Sequence, residues 1–185
     1  MRLFFALEMP PSVRQRLAAL VEPLRRKTAG VRWVDPPGIH LTLRFLGEVQ
    51  PERLEAIVAA ARAGLDGRPA PRLRTGELGI FPERGRPRVV WVGVEDEAGA
   101  LADLHRALEG VLEPLGFAPE GRPYSPHLTL GRVREGGDPR RALSEVTAPE
   151  PLSFRVAEAV LMESLLGDGP ARYEVRARFA LREGP

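Results

Sequence analysis

His40-Leu41-Thr42-Leu43 and His127-Leu128-Thr129-Leu130 are the same four residues, met twice in a chain of 185. Each copy follows a proline-bearing loop, Asp35-Pro36-Pro37-Gly38 in one case and Arg122-Pro123-Tyr124-Ser125-Pro126 in the other. Each reads as the start of a strand. In a strand, residues i and i+2 share a face. His40 and Thr42 therefore point one way, with Leu41 and Leu43 pointing the other way as core anchors. The second copy repeats this with His127 and Thr129 against Leu128 and Leu130. An identical tetrapeptide around two of the three histidines predicts two similar lobes, each giving one polar pair on a rigid apolar strand.

Outward from the copies, strands and helices alternate. Residues 2–7 read as a strand rather than as a signal peptide. Residues 11–26 read as a helix, with Val13, Leu17, Leu20, Val21 and Leu24 at helical spacing. Strands are expected at 31–34 and 39–46, a second helix at 51–65, strands at 73–80 and 88–94, and a third helix at 98–115. A strand at 127–133, a short helix near 138–146 and strands at 152–163 and 171–181 complete the chain. The last two flank Gly167-Asp168-Gly169-Pro170, a turn signal. The expectation is an α+β protein, a single domain over 1–185 built of two pseudo-symmetric lobes. Each lobe has an antiparallel sheet flanked by helices, with the active-site cleft between them.

Composition sets outer limits. Apolar residues make up 43% and charged residues 28%, a balance that buries a core. No apolar run approaches a bilayer span, and no membrane partner is expected. The chain has no cysteine, which removes disulfides, thiol catalysis and thiolate metal sites; a cytoplasmic location fits. Net charge is +2, and Lys27 is the only lysine, so the basic residues are almost all arginine. The planar guanidinium fork suits phosphate, although a thermophilic composition would account for the arginines equally well.

The chemistry of the repeat is acid–base chemistry. Imidazole is the side chain best matched to proton transfer near neutral pH. Two His-x-Thr pairs facing across a cleft bracket one phosphorus: one histidine takes a proton from the nucleophile, the other protonates the departing oxygen. The threonines, helped by arginine, hold the non-bridging oxygens. The design requires no metal and no cofactor. Arg132, five residues after His127, reaches that face only if a bulge near Gly131 brings it round. Arg44 has the parity of His40 and Thr42. Arg122 lies in the loop before the second copy, where a solvated arginine is equally at home. His105 falls in the apolar stripe of the third helix and is left out of the site. Trp33 and Phe45 are core aromatics or base-stacking platforms. The glycines form no loop of the kind that cradles a nucleoside triphosphate.

These motifs resemble those of the two-histidine (2H) phosphoesterase superfamily, in its bacterial and archaeal branch of 2′-5′ RNA ligases, or RNA 2′,3′-cyclic phosphodiesterases. The resemblance runs through Met1-Arg2-Leu3-Phe4-Phe5-Ala6-Leu7, Trp33-Val34, and His40 to Val49. It continues through Leu104, Leu108 and Leu112, and through Arg122 to Arg132. It implies hydrolysis of a 2′,3′-cyclic phosphate at an RNA end to a 2′-phosphate, with a reversible 2′-5′ joining of tRNA halves beside it. It implies His40 as proton donor and His127 as proton acceptor; the nearly symmetric motif does not itself order them. Substrate binding by Thr42, Thr129, Arg132, Arg44 and Arg122 is expected, with RNA as partner and a monomer as the working form. Two other readings stand beside it. One is a phosphodiesterase for small cyclic nucleotides or 2′-5′ oligonucleotides. The other is an RNA-end binder without turnover.

Overall fold

The computed structural model describes residues 1–147, 150–165 and 172–183. Among the described residues there are nine strands: β1 (Arg2–Glu8), β2 (Val31–Trp33), β3 (His40–Glu48), β4 (Arg72–Phe81), β5 (Val89–Asp96), β6 (His127–Val133), β7 (Ser153–Arg155), β8 (Glu158–Leu165) and β9 (Arg172–Ala180). The α-helices among the described residues are α1 (Pro11–Lys27), α2 (Leu54–Leu65), α3 (Ala100–Leu112) and α4 (Arg140–Glu145). The turn signal at 167–170 lies outside the described residues. The expected strand over 152–163 is two strands, not one. β7 pairs with β4 and β8 pairs with β1, so the chain changes halves of the sheet at Val156-Ala157. Apolar residues on both sides of the crossing concealed it.

The strand order is β7-β4-β5-β6-β3-β1-β8-β9, with β2 added to β6. Read from its centre, this is two four-stranded antiparallel halves, each ending inward on a strand that carries His-x-Thr. They meet through one residue pair, Leu41 opposite Leu128. The expected pair of lobes is thus realised as two halves of one sheet, and they share one core. Leu3, Phe5, Leu7, Leu41, Leu43, Leu128 and Leu130 pack with the stripes of α1, α2 and α3.

Local sequence explains the helices. Pro11 opens α1, where its missing N–H is no loss, and Arg25, Arg26 and Lys27 close it against the negative end of the dipole. All five apolar stripe residues of α1 are buried. The side chain of Asp96, at the end of β5, accepts hydrogen bonds from the N–H groups of Leu101 (2.8 Å) and Ala102 (3.3 Å), satisfying donors at the start of α3.

β1 is buried on both faces. Leu3, Phe5 and Leu7 face the helices, whereas Phe4 and Ala6 form a second apolar cluster with Val160 and Met162 on the opposite face. That second face carries the histidines.

Candidate active site

β3 carries an extra residue relative to β1 at Leu43 and another at Leu46, and β6 carries one relative to β5. Along β3, Thr42 pairs with Ala6 and Arg44 with Phe5, so Leu43 is the bulged residue. Along β6, Thr129 pairs with Trp91 and Gly131 with Val90, so Leu130 is bulged. Both bulges fall three residues after the histidine. Each reverses the alternation and brings the residue at histidine plus five onto the His/Thr face. In the first copy that residue is Phe45, which is 51% exposed and lies 5.7 Å ring to ring from Phe4. In the second it is Arg132, which is exposed and shares a cavity with His40.

The Leu41–Leu128 pair also fixes the cleft. Carried one residue either way, that antiparallel register sets His40 across from Thr129 and Thr42 across from His127. Directly opposed residues have Cβ atoms about 5 Å apart, and the diagonal runs about 7–8 Å. The two imidazoles therefore occupy opposite corners of a four-residue grid, with a threonine beside each.

The histidines are held in matching ways. Nδ1 of His40 lies 2.8 Å from the carbonyl of Gly38, and Nδ1 of His127 lies 2.8 Å from the carbonyl of Ser125. A carbonyl only accepts, so each Nδ1 carries the hydrogen and Nε2 is the nitrogen with a lone pair. Tyr173 meets the His40 ring edge-on at 5.0 Å and 82°, and Phe81 meets the His127 ring at 5.1 Å and 83°. Phe4 and Trp91 complete the two cradles, 4.9 Å and 6.4 Å away. Sequence reading did not find these four aromatics. Phe4 and Trp91 lie on neighbouring strands in register with the motifs, whereas Tyr173 arrives from the far end of the chain.

Burial lowers the pKa of His40 to about 4, and the nearby positive charges of Arg132 and Arg14 act in the same direction; the Gly38 carbonyl and Glu8 oppose this. His40 is therefore neutral at pH 7 in the free protein.

The arginines separate. Arg132 stands near His40, as a bulge allows. Arg122 is exposed and lines the cavity beside His127 and Thr42. Arg44 corrects the parity expected of it. The Leu43 bulge turns it inward, leaving it 7% exposed. There it pairs with Glu109 and with Glu120 (3.2 Å), and donates to the carbonyls of Phe45 (2.7 Å) and Ala118. It braces the strand and does not face the cleft. His105, on α3, stacks on Tyr124 at 4.4 Å. Tyr124 in turn donates a hydrogen bond to the carbonyl of Thr42 (2.9 Å), joining the second motif's loop to the first motif.

Two cavities of about 800 Å³ each flank the grid. The one on the His40 side is lined by Arg14, Arg32, Trp33, Arg132 and Tyr173. The one on the His127 side holds Thr42, Phe45, Phe81, Arg86, Arg88 and Arg122. Trp33 is half-buried, packing on the core with one side and lining the cavity with the other. It crosses β6 at Gly131, where a Cβ would lie 2.7 Å from Val31 and 3.0 Å from Trp33. Among the described residues no three His, Cys, Asp or Glu side chains cluster as a metal would need.

Comparison with known proteins converges on one group. A family model described as the 2′-5′ RNA ligase superfamily matches residues 9–168. The RNA 2′,3′-cyclic phosphodiesterase of Methanothermobacter thermautotrophicus is 35% identical over 169 residues, covering 89% of this chain and 90% of that protein. The crystal structure of TT0787 of Thermus thermophilus superposes with a TM-score of 0.79 at 32% identity, covering 99% of each chain. That of Escherichia coli LigT complexed with 3′-AMP gives 0.77 at 31% identity, covering 98% of each.

Proposed function

The chain belongs to the 2′-5′ RNA ligase superfamily, and on that premise we propose that it hydrolyses 2′,3′-cyclic phosphate ends of RNA to 2′-phosphates by two-histidine acid–base catalysis. The observation that carries this reading is the grid around Leu41 and Leu128: two imidazoles, each with Nδ1 tied to a carbonyl, set diagonally across the register of the two motif strands.

In this mechanism the cyclic phosphate sits between Thr42 and Thr129. Both hydroxyls donate to its non-bridging oxygens, and Arg132 and Arg122 supply positive charge from the two ends. Water enters on the His127 side. Nε2 of His127 takes its proton as the oxygen attacks phosphorus, in line with the 3′ oxygen. The bond from phosphorus to the 3′ oxygen breaks, and Nε2 of His40 protonates that oxygen, leaving the phosphate on the 2′ oxygen.

His40 is neutral before substrate arrives, so it acquires its proton with the substrate. A phosphate anion beside Arg132 cancels the guanidinium's field and gives the imidazolium a counter-ion. This order of roles follows the family resemblance, and the anion-dependent protonation makes it testable. His40→Ala and His127→Ala should each lower kcat/KM by about 10²–10⁴ with the fold intact by circular dichroism. Near wild-type turnover by either variant would remove the two-histidine mechanism.

We place the enzyme in the cytoplasm as a monomer acting on RNA ends, tRNA fragments among them. Among the described residues no helix is long and apolar enough to cross a membrane. The same grid would also join a 5′-hydroxyl strand in a 2′-5′ linkage if that hydroxyl replaced water.

A further inference from the structure

The two histidines are tied to carbonyls of unlike origin. Gly38, which holds His40, ends a 3₁₀ turn (Pro36–Gly38) that closes on itself. There the Gly38 N–H donates to the Asp35 carbonyl (2.8 Å) and the Ile39 N–H to the Pro36 carbonyl (3.2 Å). Ser125, which holds His127, lies in the loop 118–126. Among the described residues, no backbone hydrogen bond closes within that loop. Side chains of the first motif's strand and of α3 hold it instead. Arg44 donates to the Ala118 carbonyl, and Glu109 accepts from the Glu120 N–H (3.3 Å). Gly121, Arg122, Pro123 and Ser125 are exposed, whereas Tyr124 packs against the core.

Tyr124 stands one residue before Ser125 and three before His127. Its ring stacks on His105 of α3 (4.4 Å, 15°), and its hydroxyl donates to the Thr42 carbonyl (2.9 Å). Burial raises the pKa of that hydroxyl, and the charges of Glu120 and Asp96 act the same way, so it stays a donor at working pH. Beyond Ser125, the Val94 N–H donates to the Pro126 carbonyl (3.1 Å). The Ser125 carbonyl is thus held between β5 on one side and Thr42 on the other. Because β3 and β6 pair only through Leu41 and Leu128, the Tyr124 hydroxyl is a second bond across their joint.

The tie matters through the tautomer. An untied neutral imidazole carries its hydrogen mainly on Nε2. The reaction needs the reverse at His127, with the Nε2 lone pair facing water. The Ser125 carbonyl selects that form only while it stays in place.

We propose that Tyr124 is a positioning residue for the reaction: by bonding the Thr42 carbonyl it fixes the Ser125 carbonyl, and so sets the tautomer and the aim of the His127 ring against the first motif. This rests on the two-histidine hydrolytic reading. Tyr124 transfers no proton and acts through His127. A displacement of about 1 Å at a catalytic group costs about 100-fold in rate. Loss of the hydroxyl leaves Thr129 and Arg132 to bind phosphate, so it shows in kcat and not in KM.

The test compares wild type, Tyr124→Phe and Tyr124→p-aminophenylalanine, all of which keep a ring on His105. One readout is steady-state hydrolysis of a short RNA ending in a 2′,3′-cyclic phosphate. The other is nitrogen NMR of the imidazoles without substrate, at about pH 8.5, above the ordinary imidazole range. Tyr124→Phe should lower kcat by about 10- to 100-fold with KM within about twofold. It should also move hydrogen from Nδ1 to Nε2 at His127 while His40 keeps its Nδ1–H. The amino group of p-aminophenylalanine donates to the same carbonyl and should return kcat to within about threefold of wild type, with His127 in its wild-type form. A Tyr124→Phe kcat within about threefold of wild type, an unchanged His127 tautomer, or an equal change at both histidines would overturn the role of Tyr124. If Tyr124→Phe does not fold, the amino variant decides alone: wild-type kcat and tautomer support the role, and a fall of about tenfold or a shifted hydrogen overturns it. A wild type that leaves the RNA end uncut would overturn the hydrolytic reading instead, while the tautomer comparison, which needs no substrate, still decides whether Tyr124 holds His127.

Discussion

At the scale of single residues, His40 has the most measurable environment. Its pKa near 4 lies below the ordinary value of 6.5, so the unfolded chain binds the extra proton between those two pH values. His40 therefore adds stability that is fully present above about pH 6.5 and lost as pH falls through 6.5 towards 4, up to about 3 kcal/mol. His40→Gln should remove that part of the acid destabilisation, seen in urea midpoints measured from pH 7 to pH 4. In NMR titrations the His40 ring should titrate near pH 4 in the free protein and move upward when inorganic phosphate is bound. A ring that stays near 4 with phosphate bound would assign it as proton acceptor instead. That His40 and Thr42, and His127 and Thr129, share strand faces was legible in the sequence, because a repeat of period-2 polar positions is a strand-face statement in itself. Tyr173 and Phe81 were not, because an aromatic edge against an imidazole depends on where distant strands end.

At the scale of elements, the two bulges explain why sequence parity failed for one arginine and not for another. A strict alternation puts Arg44 with His40 and turns Arg132 away. One extra residue at Leu43 and at Leu130 reverses both placements. Nothing local in His-Leu-Thr-Leu signals the bulge; pairing with β1 and β5 creates it. The two arginines should therefore separate in experiment. Arg44→Met leaves Glu109 in a half-buried site without its cation and should destabilise the fold by on the order of 3 kcal/mol. Arg132→Ala should leave the melting temperature within about 2 °C of wild type and raise KM for the cyclic phosphate about tenfold or more. The reverse pattern would mean that the parity of β3 and β6 is misassigned. The split of 152–163 into β7 and β8 is the other lesson at this scale. An edge strand and a central strand that follow each other after two residues read as one apolar stretch, and only their partners distinguish them.

At the scale of the molecule, two halves of a sheet meet at one residue pair yet share a single core beneath it. The repeat in the sequence announced the halves; that they form one sheet rests on Leu41 and Leu128, which look like any other core leucines. Because the core is common, thermal unfolding should be one transition, with circular dichroism and tryptophan fluorescence coinciding. Two separated transitions would show that the halves fold independently. The joint matters because it sets the spacing of the two imidazoles on which the proposed reaction depends. That reaction is tested most directly by incubating the purified protein, with EDTA, on a short RNA ending in a 2′,3′-cyclic phosphate, and identifying the phosphate position in the product. Conversion to a 2′-phosphate, undiminished by the chelator, is the predicted result. A 3′-phosphate, a dependence on added metal, or an RNA bound but unchanged would contradict it.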